Sequence, residues 1–402
     1  MPARLQRIGR GLIALTLASV LWLPCLHWFF QKPVTQFRAA NGISPMAAAL
    51  AARQFKLWTD PALREVELRR MRGSNAEWDF MGRSFLVWSL ANVGLRDPAQ
   101  KEVCLETMDR IIDETLRIER EQGMDHFLMG YARISPYRVQ LARSLFVDGE
   151  IALMLAARRA LEEMGAFKPL LAERVKIIAQ GLAAHHVLES YPNECWTFDH
   201  AVALAALQLA DHLDGTDHSA VIRDWLTFAR QKLVDPKTGL LVSSFTVDGT
   251  PLDGPEGSSI WLVAHCLQAL DPAFARDQYE RARRELAQNY CGFGSAREWP
   301  ATWHGPADID SGPIIPGLNI SAGSSGLALV GAASFGDDAF LSSLVATLDF
   351  AAFPEQKAGE LKYCASNQVG DAVMLYAAVL GPLWEKAGAG QPTDGCPQRT
   401  QR

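Results

Sequence analysis

Residues that could carry out chemistry are most concentrated just before an alanine-rich apolar run. Residues 191–200 (YPNECWTFDH) precede residues 201–213, whose apolar spacing predicts a packed helix. Glu194 and Asp199 therefore lie near a helix start, where the helix dipole favours a carboxylate. Asp199 either caps this helix or acts as a general acid or base. The candidate substrate-binding residues of this stretch are Tyr191, Glu194, Cys195, Trp196 and His200.

Glu150 is the second candidate catalytic carboxylate. It follows Gly149 inside an apolar pattern that predicts a helix, and a glycine within a helix costs about 1 kcal/mol relative to alanine. A charged side chain at a core-facing position is unfavourable unless it is paired or functional. Two interpretations stay open: an ion pair with Arg143, two helical turns upstream, or an acid/base role together with Asp199. Tyr131 begins the polar stretch before this helix and is a further candidate for substrate binding.

A long loop between two predicted helices contains more carboxylates and aromatic residues. Residues 295–325 include Glu298 and Asp310 as candidate catalytic groups, with Trp299 and Trp303 as surfaces on which a ligand could stack. The alternative is a surface loop in which the Asp-x-Asp-Ser-Gly sequence forms a turn.

The sequence argues against metal-binding and nucleic-acid-binding functions. Its seven cysteines include no Cys-x-x-Cys pair, so zinc ribbons, iron–sulfur sites and thioredoxin-like motifs have no support. The Asp-x-Asp at 308–310 lacks the remaining ligands of a calcium-binding loop. The net charge is −6 and no basic run follows the first ten residues, which argues against a surface that tracks phosphates. We therefore expect a small-molecule substrate, with neither metal nor cofactor.

The elements that must position these residues are predicted to be helices of one domain. From residue 44 onward apolar residues recur three and four positions apart, and Asp-Pro pairs at 60–61, 97–98 and 271–272 each combine an N-cap carboxylate with a proline at the first helical position. These starts are spaced as in repeated helical hairpins, yet no solenoid repeat motif is visible. We predict an all-α fold, an (α/α)6 barrel over residues 44–387 that encloses a lumen.

Two segments depart from this helical pattern. Residues 239–252 predict a small β-hairpin that turns at Asp248-Gly249. Residues 388–402 are rich in Gly, Pro and Thr and predict a disordered tail.

Residues 1–32 are predicted to form a signal anchor. Arg4, Arg7 and Arg10 precede residues 11–30, twenty residues without a charge, which is long enough for one transmembrane helix. By the positive-inside rule the remainder of the chain lies in the periplasm of a bacterium, attached to the inner membrane. The alternative is secretion after cleavage of a signal peptide, although no small-x-small cleavage site is visible.

Several stretches resemble the bacterial linalool dehydratase-isomerase family. They are residues 211–249, residues 88–98, Asp271-Pro272-Ala273-Phe274 with Arg276, Tyr279 and Arg281, and Arg297-Glu298. The resemblance spans about residues 75–350 in pattern and spacing. It implies an (α/α)6 barrel with an active site in the lumen, a secreted location and an oligomer.

The resemblance also implies a kind of chemistry. In the characterised family enzyme a histidine and two cysteines, with tyrosine and aspartate, dehydrate a tertiary alcohol without a cofactor. The histidine position corresponds here to Glu150, and the cysteine positions correspond to Ser190 and Asp199. This chain has therefore exchanged those groups for carboxylates and a serine.

Three functional hypotheses follow. The leading one is a membrane-anchored periplasmic lyase or isomerase that acts on an alcohol by cofactor-free acid/base catalysis, with Glu150 and Asp199 as the central pair. The second is a glycoside hydrolase or polysaccharide lyase, because paired carboxylates beside tryptophans also suit sugar substrates. The third is a non-catalytic envelope scaffold, which ion pairs from Arg138, Arg143 or Arg297 to the lumen carboxylates would support.

Overall fold

The computed structural model describes residues 3–305 and 311–388. Helices account for most of the described chain. The α-helices are α1 Ala3–Leu26, α2 Val34–Phe37, α3 Pro45–Thr59, α4 Pro61–Ser74, α5 Ala76–Arg96, α6 Lys101–Gln122, α7 Leu145–Leu161, α8 Phe167–His185, α9 Thr197–Asp214, α10 Ser219–Lys232, α11 Gly257–Leu267, α12 Pro272–Glu285, α13 Ala322–Phe335, α14 Asp338–Ala351, α15 Gln368–Val379 and α16 Pro382–Lys386.

Six of these helices pack side by side into a closed inner ring. In ring order they are α5, α7, α9, α11, α13 and α15, and α15 returns to pack against α5. Helices α6, α8, α10, α12 and α14 connect successive inner helices from outside, and α3 packs on α15 to complete the outer layer. The predicted all-α (α/α)6 barrel is therefore confirmed.

Small residues allow the inner helices to approach closely. A Cβ atom added at Gly149 of α7 would lie 3.0 Å from the Cβ atom of Ala203 on α9. This close approach explains the glycine within α7, whose lower helix propensity is offset by the contact between the two helices. Glu150, the next residue, is thereby brought near the first turns of α9.

The helix starts follow the capping signals of the sequence. The carboxylate of Asp60 accepts hydrogen bonds from backbone N–H groups at the start of α4, and Asp271 does so at the start of α12. Asp97 caps a short 3-10 turn that leads into α6. Because proline needs no partner for a missing N–H, each Asp-Pro pair leaves few unsatisfied donors at its helix end.

The β structure is limited to four two-stranded antiparallel pairs within the described residues. The strands are β1 Cys195–Trp196, β2 Ser244–Phe245, β3 Ala287–Tyr290, β4 Phe293–Ala296, β5 Ile314–Ile315, β6 Ile320–Ser321, β7 Pro354–Lys357 and β8 Glu360–Tyr363.

The hairpin predicted at 239–252 differs from the one that forms. The chain turns at Gly249, whose φ of 84° suits glycine, and Phe245 forms an antiparallel bridge with Pro251 across this turn, as predicted. The difference is that strand β2 also pairs with β1. Pairing across the barrel end satisfies backbone groups of the stretch that precedes α9. The predicted tail lies outside the described residues from 389 onward.

Candidate active site

A cavity of about 460 Å³ lies at one end of the barrel. The first turns of all six inner helices line it, so the six helices begin at this end and their N-termini converge on the cavity. The lining residues from these turns are Trp78 and Met81 of α5, Phe146 of α7, Phe198 and Asp199 of α9, Ser258 and Ser259 of α11, Ala322 and Gly323 of α13, and Gln368 and Asp371 of α15. We call this end of the barrel the mouth end.

Much of the cavity wall is hydrocarbon. The apolar lining residues include Leu57, Met71, Met81, Phe146, Phe198, Leu327, Val369 and Val373. Polar and charged side chains line the rest of the cavity, among them Arg53, Glu67, Arg70 and Lys362. An apolar wall with polar groups at fixed positions is the usual composition of a small-molecule site.

Asp371 is a carboxyl group of the cavity wall in a strongly perturbed environment. It lies in the first turn of α15, 5% exposed, and its Oδ1 has no hydrogen-bond partner among the described residues. Burial raises the pKa of Asp371 to about 7, against the opposing attraction of Lys362 and Arg53. A carboxyl group with that pKa is populated in both protonation states near neutral pH, as a general acid or base requires.

Asp199 lies on the opposite side of the lumen. Its helix, α9, is three positions away from α15 in the six-membered ring, and both aspartates are in the first turn of their helices. Asp199 is 6% exposed and lines the same cavity. A substrate between the two helices would therefore have a carboxyl group on each side.

Glu150 lies below the cavity wall. It is one helical turn beyond the lining residue Phe146 on α7, is 1% exposed, and has no hydrogen-bond partner for either carboxyl oxygen among the described residues. Burial raises the pKa of Glu150 well above its ordinary value of 4.5, and the nearby charge of Asp199 adds to this effect. Burial therefore favours the neutral carboxylic acid form of Glu150.

The ion pair considered for Glu150 does not form. Arg143 instead donates to Asp148 at 2.6 and 2.7 Å and to Glu119 at 3.3 Å. Arg174 also pairs with Asp148 and Glu119, which makes a compact network at the start of α7. Arg143 therefore pairs with carboxylates on the outer face of α7 and does not pair with Glu150.

An aromatic cluster borders the cavity beside Asp199. Tyr191 and Trp196 line it, and Tyr131 stacks on Tyr191 with ring centroids 4.5 Å apart. The Tyr191 hydroxyl donates to Glu77 and accepts from the Met129 N–H at 3.0 Å, so the ring is held firmly. Burial raises the pKa of Tyr191, so its hydroxyl stays protonated.

Glu194 belongs to the edge of this cluster. Its Oε1 accepts hydrogen bonds from the Trp196 indole N–H and from the Tyr131 hydroxyl. Glu194 is not among the residues that line the cavity. It orients the two aromatic side chains from outside.

Cys195 and His200 lie away from the cavity. The His200 Nδ1–H donates to the Trp196 carbonyl at 2.7 Å, and its Nε2 accepts from the Leu188 N–H at 3.0 Å. Both ring nitrogens are thus occupied by backbone groups, and burial lowers the pKa of His200 to about 4. Cys195 is fully buried in strand β1, where desolvation raises the pKa of its thiol.

Glu298, Trp299 and Trp303, the described candidates of the long loop, were expected at a binding surface but do not line the cavity. Glu298 is 2% exposed and does not line the cavity. One of its carboxyl oxygens accepts from the N–H and hydroxyl of Ser258, and the other accepts from the Ser321 hydroxyl. The Glu298 carboxylate therefore links the N-terminus of α11 to the N-terminus of α13 through hydrogen bonds.

Trp299 and Trp303 are likewise absent from the cavity wall. The Trp303 ring packs over Gly254 and Gly305, where an added Cβ atom would collide with it. Asp310 lies outside the described residues. The tryptophans that do border the cavity are Trp78 and Trp196.

Asp371 ends a stretch, Tyr363 to Asp371, that the sequence does mark as suited to a binding site, although Asp371 itself is not among the candidate catalytic residues. The stretch from Tyr363 to Asp371 has the same mixture of polar and aromatic residues before a helix start as residues 191–200. An aspartate in a first helical turn is however also a common stabilising feature, and only its burial distinguishes it. Among the described residues no cluster of three or more His, Cys, Asp or Glu side chains has metal-binding geometry.

The ring of six helix pairs defines an (α/α)6-barrel protein, and the carboxyl groups in its lumen mark a candidate small-molecule site. Residues 189–369 match the family model described as linalool dehydratase/isomerase, so this part of the chain is similar to that family. The match includes Asp199 and ends two residues before Asp371.

One solved structure with a similar fold is a glycoside hydrolase of family 105 from C. acetobutylicum. It is 14% identical in sequence, with a TM-score of 0.44, and the likeness covers 82% of this chain and 99% of that one. A likeness of this size carries no information about the reaction, because one fold serves many activities.

Proposed function

We propose that this protein is a cofactor-independent lyase or isomerase of the linalool dehydratase/isomerase type, and that it acts on an apolar alcohol. Asp199 and Asp371 carry the proposal because they stand on opposite inner helices of one cavity, whose apolar lining residues can hold a hydrocarbon chain. The pKa of about 7 at Asp371 suits the acid that protonates a leaving hydroxyl group at neutral pH. Residues 1–32 would hold the enzyme at the periplasmic face of the inner membrane.

The reaction is an acid/base elimination. Asp371 gives its proton to the hydroxyl oxygen, the C–O bond breaks with its electron pair on oxygen, and water leaves. Asp199 takes a proton from the adjacent carbon, and the electrons of that C–H bond form the new C=C bond. Asp371 ends ionised and Asp199 protonated, and proton exchange with water restores both. Return of water to another carbon of an allylic cation would give isomerisation.

Glu150 has a supporting role in this scheme. Because burial favours the neutral form of Glu150, the adjacent Asp199 can carry the single negative charge of the pair. Tyr191 and Trp196 shape the wall beside Asp199, and their aromatic faces suit a hydrocarbon chain or a developing cation.

The first test uses Asp371→Asn in the full-length protein in detergent. Asparagine keeps the size of the side chain but cannot donate an acidic proton, so we expect kcat/KM for dehydration of branched allylic alcohols to fall by about 10²–10⁴. Gas chromatography of the alkene product measures the rate. Glu355→Gln is the matched control, because Glu355 is an exposed carboxylate of β7 that does not line the cavity.

Two outcomes would contradict the proposal. One is an unchanged rate in a folded Asp371→Asn variant. The other is turnover of glycosides or polysaccharides without turnover of any alcohol, which would support the hydrolase or lyase on sugar substrates instead. A primary kinetic isotope effect with substrate deuterated at the adjacent carbon supplies a readout for the C–H cleavage step, which the hydrolase reaction lacks.

A further inference from the structure

Exposed apolar side chains of the barrel are distributed very unevenly. Within the described residues after 30, eleven large hydrophobic side chains are exposed, and ten of them lie on segments at the mouth end. These ten are Val66, Tyr131, Ile134, Leu141, Leu252, Tyr290, Ile315, Leu318, Phe350 and Phe353. The eleventh, Leu170, is near the start of outer helix α8 and therefore at the opposite end.

The candidate membrane helix is connected to the barrel at the mouth end. The segment Gln6–Phe29 is long and apolar enough to cross a bilayer, and its apolar window is not buried against the barrel. Directly after it, Phe30 packs on Phe350 and Phe293 with ring centroids 5.2 and 6.1 Å apart. Lys32 pairs with Asp349 at 2.6 Å. Outer helix α14 ends at Ala351, so the chain would leave the membrane beside the mouth end.

Hydrogen bonds connect this point to the cavity itself. The Cys364 N–H donates to the Phe353 carbonyl at 3.1 Å, and Cys364 is an exposed residue of the cavity wall. On the other side, the Tyr290 hydroxyl donates to the Leu318 carbonyl at 2.9 Å, and Leu318 lies in the β5–β6 turn that follows the lining residue Pro313. We name the exposed residues Tyr290, Ile315, Leu318, Phe350 and Phe353 the apolar rim.

We propose that the apolar rim rests in the phospholipid bilayer spanned by α1, so that the cavity takes up its alcohol substrate from the membrane. Large exposed apolar patches mark interaction surfaces, and tyrosine and tryptophan are favoured at the membrane–water interface. Trp28 and Phe29, at the end of the span, are 64% and 75% exposed and continue the same surface. This inference rests on the proposed function for its substrate, an apolar alcohol that partitions into lipid.

The docking is tested in nanodiscs with a fluorescent label that reports its surroundings. Cys25, Cys291 and Cys364, which are not buried, and Cys396, outside the described residues, are replaced by serine, and the label is attached to Phe353→Cys or, as the control, to Leu170→Cys. We expect the label at 353 to be quenched by nitroxide lipids and to be about twofold or more protected from aqueous iodide, because it is buried at the level of the headgroups. The label at 170 should show the reverse.

Two results would overturn the docking. Equal iodide quenching at both positions would mean that the rim is in water. Protection of position 353 without quenching by nitroxide lipids would mean that a second copy of the chain covers the rim.

The uptake of substrate is tested with the double variant Phe353→Glu and Leu318→Glu. Two added negative charges at an anionic bilayer surface should lower the rate on a long-chain alcohol embedded in vesicles by about tenfold. The rate on a short, water-soluble alcohol should stay the same. An equal rate of the variant and the parent protein on the embedded alcohol would contradict the inference. If no alcohol is converted in either form, the proposed function fails, and the nanodisc labels still decide the docking.

Discussion

Asp371 shows how burial of one carboxyl group links catalysis to stability. Its pKa is about 7 in the folded protein against an ordinary value of 3.8. Between these two pH values the native state binds a proton that the unfolded chain has released. The contribution of Asp371 to the free energy of unfolding therefore falls as the pH rises from about 4 to 7, and it is constant above that range.

This linkage predicts the behaviour of Asp371→Asn. Asparagine has no proton to lose, so the variant should be more stable than the parent protein at pH 8 by about 2–4 kcal/mol, with the difference vanishing near pH 4. Urea unfolding of the detergent-solubilised protein at both pH values measures it. Glu355→Gln, at an exposed site, should show no such pH dependence. A difference between Asp371→Asn and parent that is the same at both pH values would show that the carboxyl is not buried as described.

Glu150 is expected to tolerate one replacement and not another. Glutamine reproduces the neutral state of Glu150, so Glu150→Gln should keep kcat within about tenfold of the parent. Glu150→Asp should lower kcat and thermal stability more than Glu150→Gln does, because the shorter side chain leaves a void beneath the cavity wall. Steady-state kinetics and thermal unfolding of both variants measure this. A complete loss of turnover in a folded Glu150→Gln would instead show that Glu150 transfers a proton itself.

Three candidate residues that do not line the cavity have one physical property in common. The side chains of His200, Cys195 and Glu298 are occupied by hydrogen bonds or by packing within a strand. A sequence displays their chemical type but not their partners, so a structural carboxylate and a catalytic one look alike. Asp199 could be placed at the cavity because many polar residues precede its helix, whereas Asp371 was marked only as part of a stretch, since its burial depends on residues far away in the chain.

At the scale of elements, capping signals were the most reliable part of the sequence. Asp60 and Asp271 do cap helices, since a carboxylate followed by proline satisfies local backbone groups whatever the tertiary context. The hairpins β3–β4 and β7–β8 were not predicted, because short exposed strands carry little alternation of polar and apolar residues. The sequence placed strand β2 in the right segment but did not predict its pairing with β1, which lies far earlier in the chain.

Glu298 allows a prediction about how the ends of two elements are joined. Removal of its carboxylate in Glu298→Ala would leave donors of Ser258 and Ser321 buried without an acceptor, so we expect a loss of about 2–4 kcal/mol in the free energy of unfolding. Glu298→Gln keeps an acceptor for Ser258 and should recover most of that stability together with activity. Chemical denaturation and turnover of both variants are the measurements. Loss of activity in a stable Glu298→Gln variant would instead indicate that Glu298 is a catalytic residue.

At the scale of the molecule, closure of the ring could be predicted but the contents of the lumen could not. Regular spacing of helix starts, with no solenoid repeat, was enough to indicate six hairpins in a circle. Which side chains line the cavity depends on the rotation of each inner helix about its own axis. That rotation is set by packing such as the contact of Gly149 with Ala203, which no local pattern reveals.

The orientation of the whole molecule in the membrane is the last prediction. Arg4, Arg7 and Arg10 precede the apolar segment, and Lys32 and Arg38 follow it, so the excess of cations lies on the N-terminal side. A periplasm-dependent reporter fused to the C-terminus should therefore be active, and the protein should keep its full-length mass in the membrane fraction. Replacement of the three arginines by glutamate leaves the excess on the other side of the helix and should abolish reporter activity. Replacement by lysine preserves the charge and should leave activity unchanged. A mature protein shorter by about thirty residues would instead identify a cleaved signal peptide, and the barrel would then reach the bilayer through its rim alone.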